Sequence, residues 1–276
     1  MRMRLSLAML LLLLAGCQKA PPPASTVDTA GATAAPLVTI IHVKNWHWLS
    51  LESFAADQGK WEPRLTDSEI NARYAKFLDD VDALQLEQVQ LLRELTRQHH
   101  VRGVFYEGVT DTNGGIFIDT IHALRRADID SLRSDLHFAN QLVEKVEAGT
   151  DAHKLAVFSR DEANAKLVAY RNDLLQVGAV GRLLMTEELD GVLALDNDKL
   201  LDAANPVKAD GTIEFNPAAD IAREDDMARR LLASTPIVIA VLGGEHDLAD
   251  NLAKFSTTHE YLTRETPKYR QLTTRE

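Results

Sequence analysis

Two imidazoles and a carboxylate stand at equivalent places in this chain, each just after an apolar run of strand length. "PLVTIIHV" leads into Lys44-Asn45-Trp46-His47. "VRGVFY" leads into Glu107-Gly108. "PIVIAVLG" leads into Gly244-Glu245-His246. In open α/β sheets, ligands gather beyond the carboxyl ends of the strands. If the three strands are parallel neighbours, His47, Glu107 and His246 converge there. Such a set suits a divalent metal with open positions, with Mn, Zn or Co as the candidates. It also suits metal-free activation of water by a histidine that a carboxylate orients. Gly108, Gly243 and Gly244 would let the backbone come close to a ligand. A plainer reading stands beside this one. Each histidine can be a loop residue, Glu107 can pair with an arginine, and Asp247 can cap the helix that follows. The pairing order of the strands decides between them.

Other residues fill supporting places. His42 alternates with Ile41 and Val43 inside the first strand and reads as a satisfied core histidine. Trp46 and Trp48 flank His47 and either wall a pocket or pack on the domain. Glu245 is a candidate neighbour of the site. Arg171 and Asn172, in "LVAYRNDLLQV", lie on a predicted helix. There the arginine either faces solvent or clamps a carboxylate or oxyanion at the sheet edge. His99-His100 falls at a predicted helix end, where cations are favoured. The chain holds no His-Glu-x-x-His and no Gly-x-Ser-x-Gly, so the common zinc-protease and serine-hydrolase arrangements have no support.

These groups need a frame. The β-branched runs read as three strands, two of them begun by Pro36 and Pro236. Between them lie long stretches of helical period. The stretch from Leu65 to His100 opens with a Thr66/Glu69 capping box. "IFIDTIHALRRADIDSLRSDLHFANQLVEKVEAG" is helical with breaks. Ser159 and Glu162 have capping-box spacing and open a further helix, whose pattern continues through "GRLLMTEELDGVLAL". "NPVKADGTIEFNP" reads as a polar loop, and "AADIAREDDMARRLLAS" returns to helix. "KNWHWLSLESF" reads as an aromatic loop, and Pro267 interrupts the polar tail. Strands separated by helices predict an α/β fold: a small mixed or mainly parallel sheet with long helical crossovers and a helical layer.

The chain has 276 residues, 45% of them hydrophobic, enough for one sizeable domain, placed here at residues 37–276. A formal net charge of −11 argues against a general nucleic-acid surface. Residues 1–16 combine Arg2 and Arg4 with a short apolar run, as in a secretory signal peptide. The run ends in Leu14-Ala15-Gly16-Cys17, which resembles a bacterial lipobox and implies lipid attachment at Cys17. Gln18 in place of an acidic residue points to the outer membrane facing the periplasm. Residues 17–36, rich in Pro, Ala, Ser and Thr, read as a disordered tether. Cys17 is the only cysteine, so the domain can hold no disulfide and no cysteine-rich metal site.

The ordered set is a histidine after the first strand, Glu107-Gly108, Arg171-Asn172 on a helix, and Gly243-Gly244-Glu245-His246. It resembles the superfamily that groups TIKI and TraB/PrgY proteins, the erythromycin esterases and the ChaN-like haem-associated lipoproteins. The family's first Gly-x-x-His falls on Lys44 to His47 with its glycine and acidic residue replaced, and its last Gly-x-x-His matches fully. The resemblance spans about residues 37–252. It implies a mixed α/β domain with its site at the strand ends, acting on a peptide or small-molecule ester. TIKI-type members imply metal-dependent hydrolysis by His47, Glu107 and His246. The esterase branch implies water activation without a metal. In either case Arg171 would stabilise negative charge and Asn172 would hold the substrate or the arginine. The ChaN-like branch implies haem binding, with His42, Tyr106 or a surface histidine on the iron. A non-catalytic envelope scaffold is the plainest remaining reading.

Overall fold

The structure is a computed structural model that describes residues 38–62, 64–206, 214–234 and 236–274. The expected signal peptide, Cys17 and the tether lie outside the described residues. No helix among the described residues is long and apolar enough to cross a membrane.

In chain order the elements are β1 (Val38–Asn45), α1 (Leu51–Trp61), α2 (Asp67–His99), β2 (Gly103–Thr110), α3 (Gly114–Arg126), α4 (Ile129–Lys145), α5 (Asp151–Met185), β3 (Gly191–Asp196), α6 (Asp198–Ala204), α7 (Pro217–Leu232), β4 (Ile237–Gly243), α8 (Ala249–Leu252), β5 (His259–Arg264) and α9 (Pro267–Thr273). The strands form one sheet in the order β3-β2-β4-β1-β5, and every pairing is parallel. The expected α/β class holds, with a fully parallel sheet of five strands. The two additional strands were hidden for different reasons. β3 lies where the helical pattern was expected to run on through "GVLAL". It is short, and only its last two residues are buried, so its apolar run is too brief to show a period. β5 is an edge strand of mixed polarity, "HEYLTR".

Both faces of a parallel sheet must be covered, and strand alternation supplies the two apolar sets. On one face Ile41, Val43, Val104, Tyr106, Ile239 and Val241 meet the buried sides of α2, α3 and α5. On the other, Ile40, Phe105, Val238, Ala240 and Leu242 meet Met227, Ala228 and Leu231 of α7, with Leu248 and Leu252. The result is a helix–sheet–helix sandwich.

The Thr66/Glu69 capping box forms as expected, and α2 runs unbroken from it. The Ser159/Glu162 spacing is not a cap: the helix starts eight residues earlier, where Thr150 accepts a hydrogen bond from the His153 amide. A capping spacing on a helix surface satisfies no amide that the previous turn already satisfies. The expected aromatic loop after β1 turns helical at Leu51, with Ser50 capping α1. Within α5, Gly178 breaks the helical path at φ 63° and ψ −160°. A Cβ there would lie 2.6 Å from the Tyr106 hydroxyl, so the kink lets the helix ride over a strand residue whose ring packs edge-on against Phe117.

Candidate functional site

β1, β4 and β2 are consecutive neighbours in the sheet, so their carboxyl ends open at one edge. That order brings His47, Glu107 and His246 together. Glu107 is the hub. His47 Nε2 lies 3.1 Å from its Oε2, and His246 Nε2 lies 3.2 Å from its Oε1. The Gly243 amide donates to Oε2 at 2.5 Å. Strand alternation turns Glu107 toward α7, whose Arg223 Nη2 donates to Oε1 at 3.0 Å. The same guanidinium donates to both oxygens of Asp196 at the end of β3, at 2.6 and 3.0 Å. Asp196 in turn accepts from the Gly108 amide at 2.7 Å. Gly108 sits at φ 80°, in the region that favours glycine, at the place where β2 falls out of step with β3. Asp196, Arg223 and Glu107 are each at most 3% exposed, so this is a chain of buried charges in which each partner compensates the next.

His246 is clamped from both sides. Its Nδ1 meets Glu224 Oε1 at 2.8 Å, and its Nε2 meets Glu107. Burial works against a charge here, but the Glu107 carboxylate and the hydrogen bonds from Glu107 and Glu224 outweigh it and raise the pKa to about 10. His246 is therefore an imidazolium at neutral pH, donating through both nitrogens. Burial would likewise keep Glu107 protonated, but His47 and His246 hold its carboxyl well below the usual range.

His47 differs from His246. Its side chain is 22% exposed, against 7% for His246, and it lines a cavity of about 250 Å³ together with Glu107, Asn45, Trp46, Trp48 and Tyr106. Its Nε2 is within ion-pair distance of Glu107 but is not aligned on that oxygen and has no hydrogen-bond partner. Gly243 makes the approach possible: a Cβ there would stand 2.7 Å from His47 Nε2 and 3.3 Å from Glu107 Oε2. At Gly244 a Cβ would overlap the Tyr269 hydroxyl, so this glycine admits α9 against the end of β4.

The remaining candidates lie apart from this cluster. Arg171 pairs with Asp79 at 2.6 Å, and both side chains are well exposed. Asn172 has a buried Oδ1 with no hydrogen-bond partner. Neither lines the cavity, whereas Gln176, one turn further along α5, does. Glu245 is exposed. Asp247 Oδ1 accepts from the Ala249 amide at 3.1 Å, but the N-cap of α8 is Leu248, so Asp247 makes a local turn just before the helix instead of the expected cap. His42 is fully buried with both nitrogens engaged, by the Tyr261 hydroxyl at 2.7 Å and the Leu242 carbonyl at 3.3 Å. Burial lowers its pKa to about 4, so it is neutral: Nε2 donates to the carbonyl and Nδ1 accepts from Tyr261. Tyr106 is buried between strand and helix, and burial raises its pKa.

Sequence reading missed Asp196, Arg223 and Glu224. One signal was available. In "IAREDDMARRLL", Arg223 stands four residues before Met227 and eight before Leu231, on the stripe that packs the sheet. An arginine on a helix's buried stripe needs a buried carboxylate.

A divalent metal would need His47, Glu107 and His246 to turn lone pairs to one point. Here both Glu107 oxygens and both His246 nitrogens face partners within the cluster, and the Arg223 charge stands against Glu107. Among the described residues no group of three or more His, Cys, Asp or Glu side chains is disposed to hold a metal ion. The donors as placed fit one another better than they fit a cation, so no step below runs through a metal.

Comparison with protein-family models, with curated proteins and with solved structures returned no match for this chain.

Proposed function

We propose that this protein is a water-activating hydrolase of a peptide or, by preference, an ester, with His47 as the general base. The observation that carries this reading is the His47–Glu107 pair in a cavity wall, with Glu107 held from behind by Arg223, His246 and the Gly243 amide. His47 takes a proton from a water in the cavity. The resulting hydroxide adds to the substrate carbonyl, the acyl–oxygen bond breaks, and His47 returns the proton to the departing alkoxide. The fixed Glu107 charge stabilises the imidazolium that exists in between. His246, already protonated, is not a base in this scheme; it keeps Glu107 ionised and in place. Asn45 lines the same cavity and its Oδ1 accepts from Gln88 at 3.1 Å, which leaves its amide N–H groups as donors for the developing oxyanion. The proposal keeps the lipid anchor on Cys17 and the periplasmic face of the outer membrane as the setting, on the sequence pattern alone.

His47→Gln should lower hydrolysis of 4-nitrophenyl acetate by about 10²- to 10⁴-fold in a protein that circular dichroism shows to be folded. A variant as active as the parent would sink the reading. Dialysis against a chelator should leave the parent's rate unchanged. A rate lost on dialysis and restored by Mn, Zn or Co would replace this scheme with a metal-dependent one. Haem has less to favour it, since His42 has no free nitrogen.

A further inference from the structure

The cavity beside His47 has walls of two chemical kinds. One wall is aromatic: Trp46 and Trp48 follow β1, and Tyr106 comes from β2. The other is acidic: α6 contributes Asp198 and Asp202. Asp198 Oδ1 accepts from the Thr110 and Thr112 hydroxyls at 2.7 and 2.6 Å, which fixes it at the mouth of β2 and holds its carboxyl below its ordinary pKa. Asp202 is exposed, one turn along the same helix. Among the described residues no lysine or arginine lines the cavity. Arg223 is engaged by Glu107 and Asp196, and Arg230, whose charge helps to lower the Asp198 pKa, is paired with Asp111 and Asp226. A ligand there meets two carboxylates on one side and aromatic side chains on the other. Both attract an ammonium group, and neither suits a carboxylate or a phosphate.

We infer that this cavity selects a cationic ligand, an alkyl- or methylammonium compound whose charge lodges between the Trp46/Trp48 wall and the Asp198/Asp202 wall. Resting on the hydrolase reading, this makes the substrate an ester or amide with an ammonium group a few bonds from the scissile carbonyl. Placing the charge against α6 sets the carbonyl toward His47, because the two walls and the His47–Glu107 pair enclose one space.

The test uses binding and turnover as separate readouts. Trp46 and Trp48 report occupancy by fluorescence. Choline, whose charge does not depend on pH, should bind about tenfold more tightly than its uncharged isostere 3,3-dimethylbutan-1-ol. Asp202→Asn should remove several-fold of that preference, and Asp198→Asn together with Asp202→Asn most of it, while affinity for the alcohol stays put. Circular dichroism checks that both variants are folded. Equal affinity for the two ligands in the parent protein would overturn the inference, as would a preference that survives both substitutions. In turnover, acetylcholine should be favoured over 3,3-dimethylbutyl acetate by a similar factor in kcat/KM. Charge-selective binding with hydrolysis of neither ester would sink the hydrolase reading and leave the cationic site standing. Hydrolysis of both esters at one rate, with no binding preference, would do the reverse.

Discussion

Glu107 is the hub of the buried charge cluster. It is 1% exposed, yet it faces an arginine, two histidines and a backbone amide. Such a group is tolerated only when its partners are present, and removing its charge leaves theirs uncompensated. Glu107→Gln should therefore destabilise the fold by about 3–5 kcal/mol, read from urea unfolding, because Arg223 and His246 stay buried without it. It should also abolish hydrolysis. A loss below about 1 kcal/mol, the size expected of an exposed pair, would show that the charges are not buried as described. At this scale the sequence showed a great deal. His47, Glu107 and His246 stood out because each follows an apolar run of strand length, although Glu107 itself lies inside β2. The division of labour did not. In the proposed scheme, which histidine is the base and which the fixed cation depends on Glu224 and Arg223, which lie 117 and 116 residues beyond Glu107 on α7.

At the scale of elements, glycines mark the places where helix and strand come closest. Gly178 adopts a conformation open essentially only to glycine, and its missing Cβ makes room for Tyr106, which also lines the cavity. Gly178→Ala should cost at least about 1–3 kcal/mol for backbone strain alone. It should also disturb the cavity wall, seen as altered fluorescence of Trp46 and Trp48. An alanine variant with the parent's urea midpoint would show that α5 does not turn there. The capping box of α2 and the strands β1, β2 and β4 were readable because their signals are local: a cap within one turn, an apolar run bounded by proline or glycine. β3 was not, since "GVLAL" is apolar in any conformation and takes strand form by pairing with β2. Arg171-Asn172 illustrates the opposite error. The pair was rightly placed on a helix, but residue spacing does not fix which way a long helix is rotated, and the rotation adopted gives Arg171 to Asp79 and Gln176 to the cavity.

For the whole molecule, three buried groups set how stability depends on pH. His246 holds its proton up to about pH 10 in the native state against 6.5 ordinarily. The stabilisation this brings is complete below the unfolded value and is lost as pH rises from about 6.5 to about 10. His42 is lowered to about 4. The unfolded chain takes up that proton below about 6.5 while the native state does not, so stability falls as pH drops toward 4. Glu107 acts in the same direction at still lower pH, its contribution being present above its ordinary value of 4.5 and lost below it. Stability should therefore peak near pH 6.5, with urea midpoints falling on either side. His246→Gln should flatten the alkaline limb, and His42→Gln should flatten the acid limb. A midpoint constant from about pH 6.5 to 9.5 would mean that His246 is not charged between its two carboxylates.

The sequence by itself determined the class of the fold and the raw materials of the site. Local rules suffice for that: apolar period, caps, breakers, and the tendency of chemistry to collect after strands. Only the tertiary structure decided the sheet order β3-β2-β4-β1-β5, which inserts the last of the three legible strands between the first two and so brings their ends together. It also decided which helix supplies the counter-charge. Both are outcomes of pairing and packing between segments far apart in the chain, where the energy lies in burying two faces of one sheet and in compensating each buried charge, and neither is written in any short stretch of residues.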